Sequence, residues 1–220
     1  MAVVHRTTMT PGKLELLASW LPTRPWYVST GNAPALSHAG GFRLDDPEGE
    51  VGVEFMVVTD ESGDRPVTYH VPLTYRGAPI EEPHEDDGAA LVGTSEHGVL
   101  GRRWVYDGTG DPVMVAQLLA LLQGHAQPQA QSESDTPDRS VVRHGAARPL
   151  SSPTGPSTVA ETPEGTAVTI PTDTGPSTLT VVRVLRPSAP NPEHTCVTAP
   201  WRLPDGTEHR TPLATLRTES

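Results

Sequence analysis

The large aromatic side chains of this 220-residue chain lie almost entirely in its first half. Nine of its ten Trp, Tyr and Phe residues precede Gly124, and only Trp201 follows it. Aromatic side chains bury large areas and dominate the energetics of a protein core. The sequence therefore predicts a well-packed domain in the N-terminal half and a weaker core in the remainder.

The content of glycine and proline sets a second limit on the fold. The chain has 20 Gly and 24 Pro, which is about double their usual combined share. Because proline lacks a backbone donor and glycine loses the most entropy on folding, such a chain is not expected to be ordered throughout. We therefore expect a folded domain over residues 1–124, a Pro/Ser/Gln-rich linker over 125–165 and a small β-rich segment over 166–220.

Charge and cysteine content exclude several classes of function. The formal net charge is -11, whereas binding to nucleic acids or anionic membranes needs a positive field. A single cysteine, Cys196, excludes an internal disulfide and a cysteine-based zinc cluster. No apolar run approaches the roughly 20 residues of a membrane span, and the run in residues 1–6 is too short for a signal peptide. We therefore expect a cytoplasmic protein without a nucleic-acid or membrane partner.

Local patterns predict a strand, a helix and a loop near the N-terminus. Residues 2–8 contain adjacent valines, which favour a strand. Thr10 and Pro11 together predict the start of a helix with one apolar stripe, which ends at Pro22. Residues 26–41 are punctuated by glycine and proline, which indicates a loop.

Alternating apolar residues predict further strands. Residues 51–58 have the period of a half-buried strand, with one face formed by Val51, Val53, Phe55 and Val57. Residues 67–75 form the returning strand, in which Pro72 is expected on an edge or at a position whose amide would face solvent. Residues 90–94 and 101–107 predict two more strands.

A second helix is predicted directly after these strands. Asp111 and Pro112 form another capped helix start, and Gly124 is well placed as its end. Residues 113–122 are apolar almost all round, so this helix must be buried on more than one side.

The rest of the chain contains short strand patterns. They cover Val141 and Val142, then residues 166–171, 177–186, 195–200 and 213–218. With one aromatic residue among them, these strands would make a poor core alone. We expect them to pair with each other or to contact the first domain.

Three groups of residues are candidate sites. The acidic run 81–87 could bind a cation, but it lacks the fixed spacing of a calcium loop, which favours a hydrated loop. Glu96 and His97 lie between two strands and could form an acid/base pair, although a structural or interface turn is favoured. Arg102, Trp104 and Tyr106 alternate on one strand face and could bind a sugar ring or a protein, although core packing of Trp104 is favoured. The sequence predicts no metal ligands.

Several short strings occur in a distinctive order. They are VHRTTMTPGKLELL (4–17), YHVPLTYRG (69–77) and HGVLGRRWVYD (97–107), after which Asp111-Pro112 opens a helix. Through them, the first 124 residues resemble the N-terminal cap domain of bacterial maltokinases. The resemblance implies an α+β fold with a cystatin-like curved antiparallel sheet and a packed helix. A second buried helix and a small β-rich, Pro/Gly-rich C-terminal part would follow.

The resemblance also implies a metabolic setting. Maltokinases phosphorylate maltose with ATP and supply maltose 1-phosphate for α-glucan (glycogen) synthesis. Residues 179–186 are weakly similar to the kinase N-lobe strand that carries the nucleotide-binding lysine. Arg183 stands at that position and is the candidate for ATP binding, although its planar guanidinium differs from a compact ammonium.

The sequence departs from a kinase in its catalytic parts. Phosphoryl transfer needs a catalytic-loop Asp and side-chain ligands for magnesium. Before Ser220 there is no His-Arg-Asp-like loop, no Asp-Phe-Gly-like triplet and no glycine-rich phosphate loop. We therefore expect no catalytic residue and no cofactor, and a cap-like protein that binds a kinase or another enzyme of glycogen or trehalose metabolism. The alternatives are a divergent ATP-dependent maltose kinase and a glucan-binding module that uses Trp26, Trp104 and Tyr106.

Overall fold

Two antiparallel sheets and two α-helices make up the described part of the chain. The computed structural model describes residues 8–80, 91–145, 150–162, 165–191 and 194–218. The strands in these ranges form two sheets, one built mainly from the N-terminal half and one from the C-terminal half. Neither helix in the described ranges has the length and apolar character that crossing a membrane requires.

The first sheet is curved and carries one helix on its face. Its N-terminal strands are β1 (Met9–Thr10), β2 (Leu36–Leu44), β3 (Gly52–Asp60), β4 (Val67–Arg76), β5 (Leu91–His97) and β6 (Gly101–Asp107). Their order across the sheet is β1-β5-β6-β4-β3-β2. Helix α1 (Lys13–Trp20) buries Leu16, Leu17 and Trp20 against this sheet. The predicted α+β fold with a packed helix is thereby confirmed.

Strand β3 is buried on both faces. Val53, Phe55 and Val57 lie in one hydrophobic cluster, on the face that the alternation predicted. Met56 and Val58 point the other way and pack in the cluster that contains α1. A strand covered on both sides is therefore the centre of the fold, and not the half-buried strand that the alternation alone suggested.

The second helix begins and ends where the sequence predicted. Helix α2 covers Pro112–Gln123, and the side chain of Asp111 accepts a hydrogen bond from Val113 N at 3.0 Å. Gly124 ends the helix in the left-handed conformation, with φ 82°. Both apolar sides of the helix are buried, through Met114, Val115, Leu118, Leu119, Leu121 and Leu122.

The C-terminal half forms the second sheet. Its strands are β7 (Val142–His144), β8 (Thr158–Thr162), β9 (Gly165–Ile170), β10 (Ser177–Val182), β12 (Thr195–Arg202) and β13 (Glu208–Thr218). A further short strand, β11 (Val184–Leu185), lies between β10 and β12 in the sequence. Their order is β7-β12-β13-β10-β9-β8, while β11 leaves this sheet and pairs with β4. One hydrophobic cluster contains α2, β2, β3 and the inner residues of the second sheet. The strands were expected to pair with each other or to contact the first domain, and they do both.

The start of α1 corrects the sequence prediction. The N-cap is Gly12 and not Thr10, because Met9 and Thr10 still pair with β5 as a strand. The carboxylate of Glu15 accepts a hydrogen bond from Gly12 N at 2.6 Å, so a side chain inside the helix caps its first turn. The strand expected over residues 2–8 cannot be compared, since residues 1–7 lie outside the described ranges.

The loop predicted over residues 26–41 is wrong at its end. Residues 36–41 belong to β2, whose Gly40 and Gly41 have φ of 153° and 141°. A side chain at Gly41 would meet the carbonyl oxygen of Phe55 in β3. Glycine therefore permits close pairing here, and it does not mark a turn.

Pro72 lies in a central strand, which corrects the expectation of an edge or solvent-facing position. One side of β4 pairs with β3. The other side pairs with β11 in its first part and with β6 from Leu73 onward. His70 N donates to Arg183 O at 2.9 Å on the shared side. Pro72, which has no N–H to donate, lies between the residues of β4 that pair with β11 and those that pair with β6.

Residues after α2 contact the first sheet. Gln129 and Arg43 form an isolated antiparallel bridge, with both N···O distances at 2.9 Å. The guanidinium of Arg43 also donates to Ala130 O and Glu133 O. The outer side of β2 is therefore bonded to the chain that follows α2.

Candidate functional site

The turn between β5 and β6 presents two apolar side chains to solvent. Val99 is 62% exposed and Leu100 is 46% exposed. The turn carrying them is fixed, because His97 Nδ1 accepts hydrogen bonds from Val99 N at 3.3 Å and Leu100 N at 3.0 Å. We call residues 96–102 the hairpin end.

An exposed ion pair lies beside these apolar residues. Glu96 Oε1 and Arg102 Nε are 2.8 Å apart, and both side chains are more than half exposed. The Arg103 guanidinium donates to Leu100 O at 2.8 Å. The contacts of Glu96 and His97 shape a turn, and the apolar pair with charged neighbours has the composition of a small binding surface.

The aromatic candidates do not share an exposed face. Tyr106 is buried and its hydroxyl accepts a hydrogen bond from Ile80 N at 3.1 Å. Trp26 is also buried, and its Nε1 donates to Glu161 Oε1 at 3.3 Å. Trp104 is half-buried in β6. This arrangement does not provide the open aromatic platform on which a sugar ring would stack.

Arg183 lies at the point where the two sheets meet. Its side chain is 0% exposed and packs over the Trp26 ring, with its guanidinium carbon 5.0 Å from the ring centroid. Its Nη2 donates to Asp107 Oδ2 at 2.5 Å and to Thr109 Oγ1 at 3.1 Å, and its Nε donates to Thr166 Oγ1 at 2.7 Å. A carboxylate of this chain, that of Asp107, therefore pairs with the Arg183 guanidinium.

A second buried carboxylate was not anticipated from the sequence. Glu54 in β3 accepts hydrogen bonds from Lys13 Nζ at 2.6 and 2.9 Å, from Tyr75 Oη at 2.5 Å and from Gln131 Nε2 at 2.6 Å. Gln131 Oε1 in turn lies 2.8 Å from His38 Nε2. The network joins α1, β2, β3, β4 and the chain that follows α2.

Opposing effects set the protonation of this network. Burial raises the pKa of Glu54, but the charge of Lys13 and the three hydrogen-bond donors outweigh it and hold that pKa below its usual value. Burial, followed by the charge of Glu54, raises the pKa of Tyr75 well above 10.0. Glu54 is therefore an ionised, fully hydrogen-bonded carboxylate. It stabilises the packing of the elements that this network connects, and it is poorly placed to accept a proton.

Sequence alone gave only a weak signal for this network. Glu54 was recognisable as a charged residue on a strand whose neighbours are apolar on both faces. Its partners are separated from it by 41, 21 and 77 residues, so no local pattern connects them.

The structure offers no metal centre in the part of the chain that it describes. Within those residues no group of three or more His, Cys, Asp or Glu side chains is arranged to hold a metal ion. The acidic run 81–87 lies outside the described ranges. Its expected role as a hydrated loop stays a prediction.

Comparisons with known proteins give one match. No curated protein and no solved structure matches the chain. The matching segment begins at the last residue of α1, contains β2 to β6 and ends at the N-cap of α2. The resemblance predicted for the first 124 residues is confirmed over this segment: residues 20–111 match the family model of the maltokinase N-terminal cap domain.

Proposed function

We propose that this chain is a non-catalytic binding protein whose cap-like domain docks on an enzyme of α-glucan or trehalose metabolism. The observation that carries the proposal is the adjacent exposed pair Val99 and Leu100 on a turn held by internal hydrogen bonds. The match to a cap domain supports the metabolic setting and a role in protein contact.

Rigidity makes the hairpin end a suitable anchor. Isolated exposed apolar residues are common on protein surfaces, but here two adjacent ones stand at the end of a paired hairpin. The turn is already bonded to His97, so binding would not have to order it. The Glu96–Arg102 pair at its side would supply the polar rim that surrounds a small apolar contact.

The buried contacts of Arg183 support the non-catalytic part of the proposal. Its guanidinium is engaged by Asp107, Thr109 and Thr166. A divergent kinase that bound ATP through Arg183 would have to break these contacts. Purified chain incubated with maltose, ATP and magnesium is expected to release no ADP, and measured turnover would refute a non-catalytic role.

Binding is tested by reconstitution with a purified enzyme. The first partner to assay is the catalytic body of a maltokinase prepared without its own cap, with affinity measured by surface plasmon resonance. The double variant Val99→Asp/Leu100→Asp should bind about tenfold or more weakly, because it places two charges in an apolar contact.

A matched variant separates docking from general surface effects. Val28→Asp/Leu91→Asp introduces the same two changes at exposed apolar residues away from the hairpin end. This variant should bind like the wild type. Equal weakening by both double variants, or no binding by the wild type to any glucan or trehalose enzyme assayed, would contradict docking through the hairpin end.

A further inference from the structure

The turn at the hairpin end depends on the protonation of one ring nitrogen. Val99 N and Leu100 N both donate to His97 Nδ1, at 3.3 and 3.0 Å. A ring nitrogen that accepts a hydrogen bond carries no proton, so the imidazole in this turn is neutral and its proton is on Nε2. The two backbone N–H groups can only donate, which fixes this tautomer.

The two amides bonded to the ring lie outside the strand ladder. Pairing between β5 and β6 ends with His97 opposite Gly101, and residues 98–100 form the turn. Gly101 follows the turn in the left-handed conformation, with φ 70°. The imidazole therefore holds a stretch of chain that the pairing of the two strands leaves out.

The charged side chains of the hairpin place positive charge near this turn. The Arg103 guanidinium donates to Leu100 O at 2.8 Å. Glu96, which precedes His97 in β5, is bound by Arg102 at 2.8 Å. Neighbouring residues of a strand point to opposite faces, so this pair and the imidazole lie on different faces of the hairpin. A proton on His97 therefore adds a second positive charge to a turn that already binds Arg103.

The charged groups of the other elements packed against β5 are bonded elsewhere. In β1, the residue paired with His97 is Met9, which carries no charge. Helix α1 has two charged side chains: Lys13 binds Glu54, and Glu15 caps its own helix. The effect of a proton on His97 is therefore expected in the turn itself.

We propose that His97 is a pH switch for the docking surface at the hairpin end. The switch rests on the docking function proposed above. Near neutral pH, Nδ1 accepts both hydrogen bonds and Val99 and Leu100 are fixed. In acid, Nδ1 carries a proton and faces two other donors, so both bonds are lost. Binding must then order the two apolar residues, which lowers affinity. The unperturbed titration of histidine falls between pH 5 and 8, where such a switch operates.

NMR on the full chain, labelled with nitrogen-15, tests the switch without any partner. At pH 7.5 the unprotonated ring nitrogen of His97 should be Nδ1. The exchange protection factors of the Val99 and Leu100 amides, which already allow for the effect of pH on the intrinsic rate, should fall about tenfold between pH 7.5 and pH 5. The variant His97→Asn should keep its protection at both pH values, because its side-chain oxygen accepts from the turn and does not titrate.

Surface plasmon resonance with the maltokinase catalytic body prepared without its cap tests the consequence for docking. The wild type should bind about tenfold more weakly at pH 5 than at pH 7.5, beyond any change shared with His97→Asn. Titration of the partner affects all variants alike, so the quantity to compare is the ratio of the two affinities. His125→Asn, at an exposed histidine outside the hairpin end, should keep the wild-type ratio.

The two measurements separate failure of the switch from failure of docking. Protection factors at Val99 and Leu100 that do not change with pH, or that fall equally in His97→Asn, would overturn the switch whatever the partner does. The same affinity ratio in wild type and His97→Asn would overturn its role in docking. An NMR transition with no binding at either pH would contradict the docking function and still support release of the turn by protonation of His97.

Discussion

Arg183 and Asp107 connect the two sheets through a buried ion pair, with Nη2 and Oδ2 2.5 Å apart. Asp107 ends β6, and its other oxygen accepts hydrogen bonds from Thr109 N and Oγ1 at 3.1 and 3.0 Å. Arg183 lies between β10 and β11, just where the chain crosses from the second sheet to the first. One carboxylate therefore shapes a turn of the first half and binds the second half.

Replacing Asp107 by Asn should strongly destabilise the protein. The change leaves the Arg183 guanidinium buried without its counter-charge, and breaking a buried pair in this way costs about 3–5 kcal/mol. Urea unfolding, followed by tryptophan fluorescence, measures the loss. Asp173→Asn, at an exposed aspartate, should change the free energy of unfolding by less than about 0.5 kcal/mol. A similarly small effect of Asp107→Asn would show that the pair does not hold the sheets together.

The contrast between α2 and Arg183 shows what the sequence could predict. The limits of α2 follow from neighbours in the chain: Asp111 caps it and Gly124 ends it. Arg183 and Asp107 are 76 residues apart, and their contact depends on how two sheets meet. The local pattern around Arg183 showed a strand and could not reveal a buried carboxylate as its partner.

Strand β2 was missed for a related reason. Glycine in a sequence usually marks a turn, so the pattern at Gly40 and Gly41 predicts a loop. Glycine is needed here because other parts of the chain come close to the backbone: Gly41 faces both Phe55 of β3 and the side-chain amide of Gln131. That cause becomes visible only when the neighbouring strand and the later chain are in place. The exposed pair at the hairpin end cannot be predicted from local sequence either, because exposure depends on the whole fold.

Gly41→Ala should be destabilising by about 2–4 kcal/mol. A methyl group at this position would meet the Phe55 carbonyl oxygen and the Gln131 side chain, and φ of 141° is unfavourable for alanine. Thermal unfolding measures the effect. Gly155→Ala is the matched control, because its new methyl group would make only an ordinary contact with Pro171 at 3.6 Å. If both variants melt like the wild type, the close approach at Gly41 is not part of the folded state in solution.

Hydrogen exchange should distinguish the central elements from the chain that follows α2. Amides in 51–58 and 113–122 should exchange slowly, because they lie in a strand buried on both faces and in a buried helix. Amides in 127–141 and 150–157 should exchange faster as a group. Within that group, Gln129 N is an expected exception, since it donates to Arg43 O at 2.9 Å. Uniformly fast exchange that includes Gln129 would mean that the bridge to β2 does not persist.

His70 should make stability fall as the solution becomes mildly acidic. Burial, with the neighbouring charge of Arg183, lowers the pKa of His70 from 6.5 to about 3. Between these values the unfolded chain binds a proton that the folded protein does not, so this contribution is complete above pH 6.5 and is lost as the pH falls toward 3. The slope should approach about 1.4 kcal/mol per pH unit.

The variant His70→Asn isolates this effect. Asparagine does not titrate, so the free energy of unfolding should depend less steeply on pH between 6.5 and 4.5. The variant should also be less stable at neutral pH, because the hydrogen bond from His70 Nδ1 to Val182 O at 3.1 Å is disturbed. Urea unfolding at a series of pH values measures both the pH dependence of the free energy of unfolding and its value at neutral pH. An unchanged slope would mean that the imidazole is hydrated in the folded protein.

Glu54 should affect the pH dependence of stability over a more acidic range than His70 does. Its pKa in the folded protein lies below the usual 4.5 because Lys13, Tyr75 and Gln131 stabilise the carboxylate more than burial destabilises it. The stabilisation is therefore complete above about pH 4.5 and is lost as the pH falls through the lowered pKa.

At neutral pH the variant Glu54→Gln should be less stable than the wild type by about 1.5–3 kcal/mol, the usual contribution of hydrogen bonds to a charged group. In acid the two proteins should converge, because the wild-type carboxyl is then neutral as well. Glu208→Gln, which breaks only an exposed pair with Arg202, should change stability by less than about 1 kcal/mol at any pH. A constant difference between wild type and Glu54→Gln down to pH 3 would show that Glu54 acts through its shape and not through its charge.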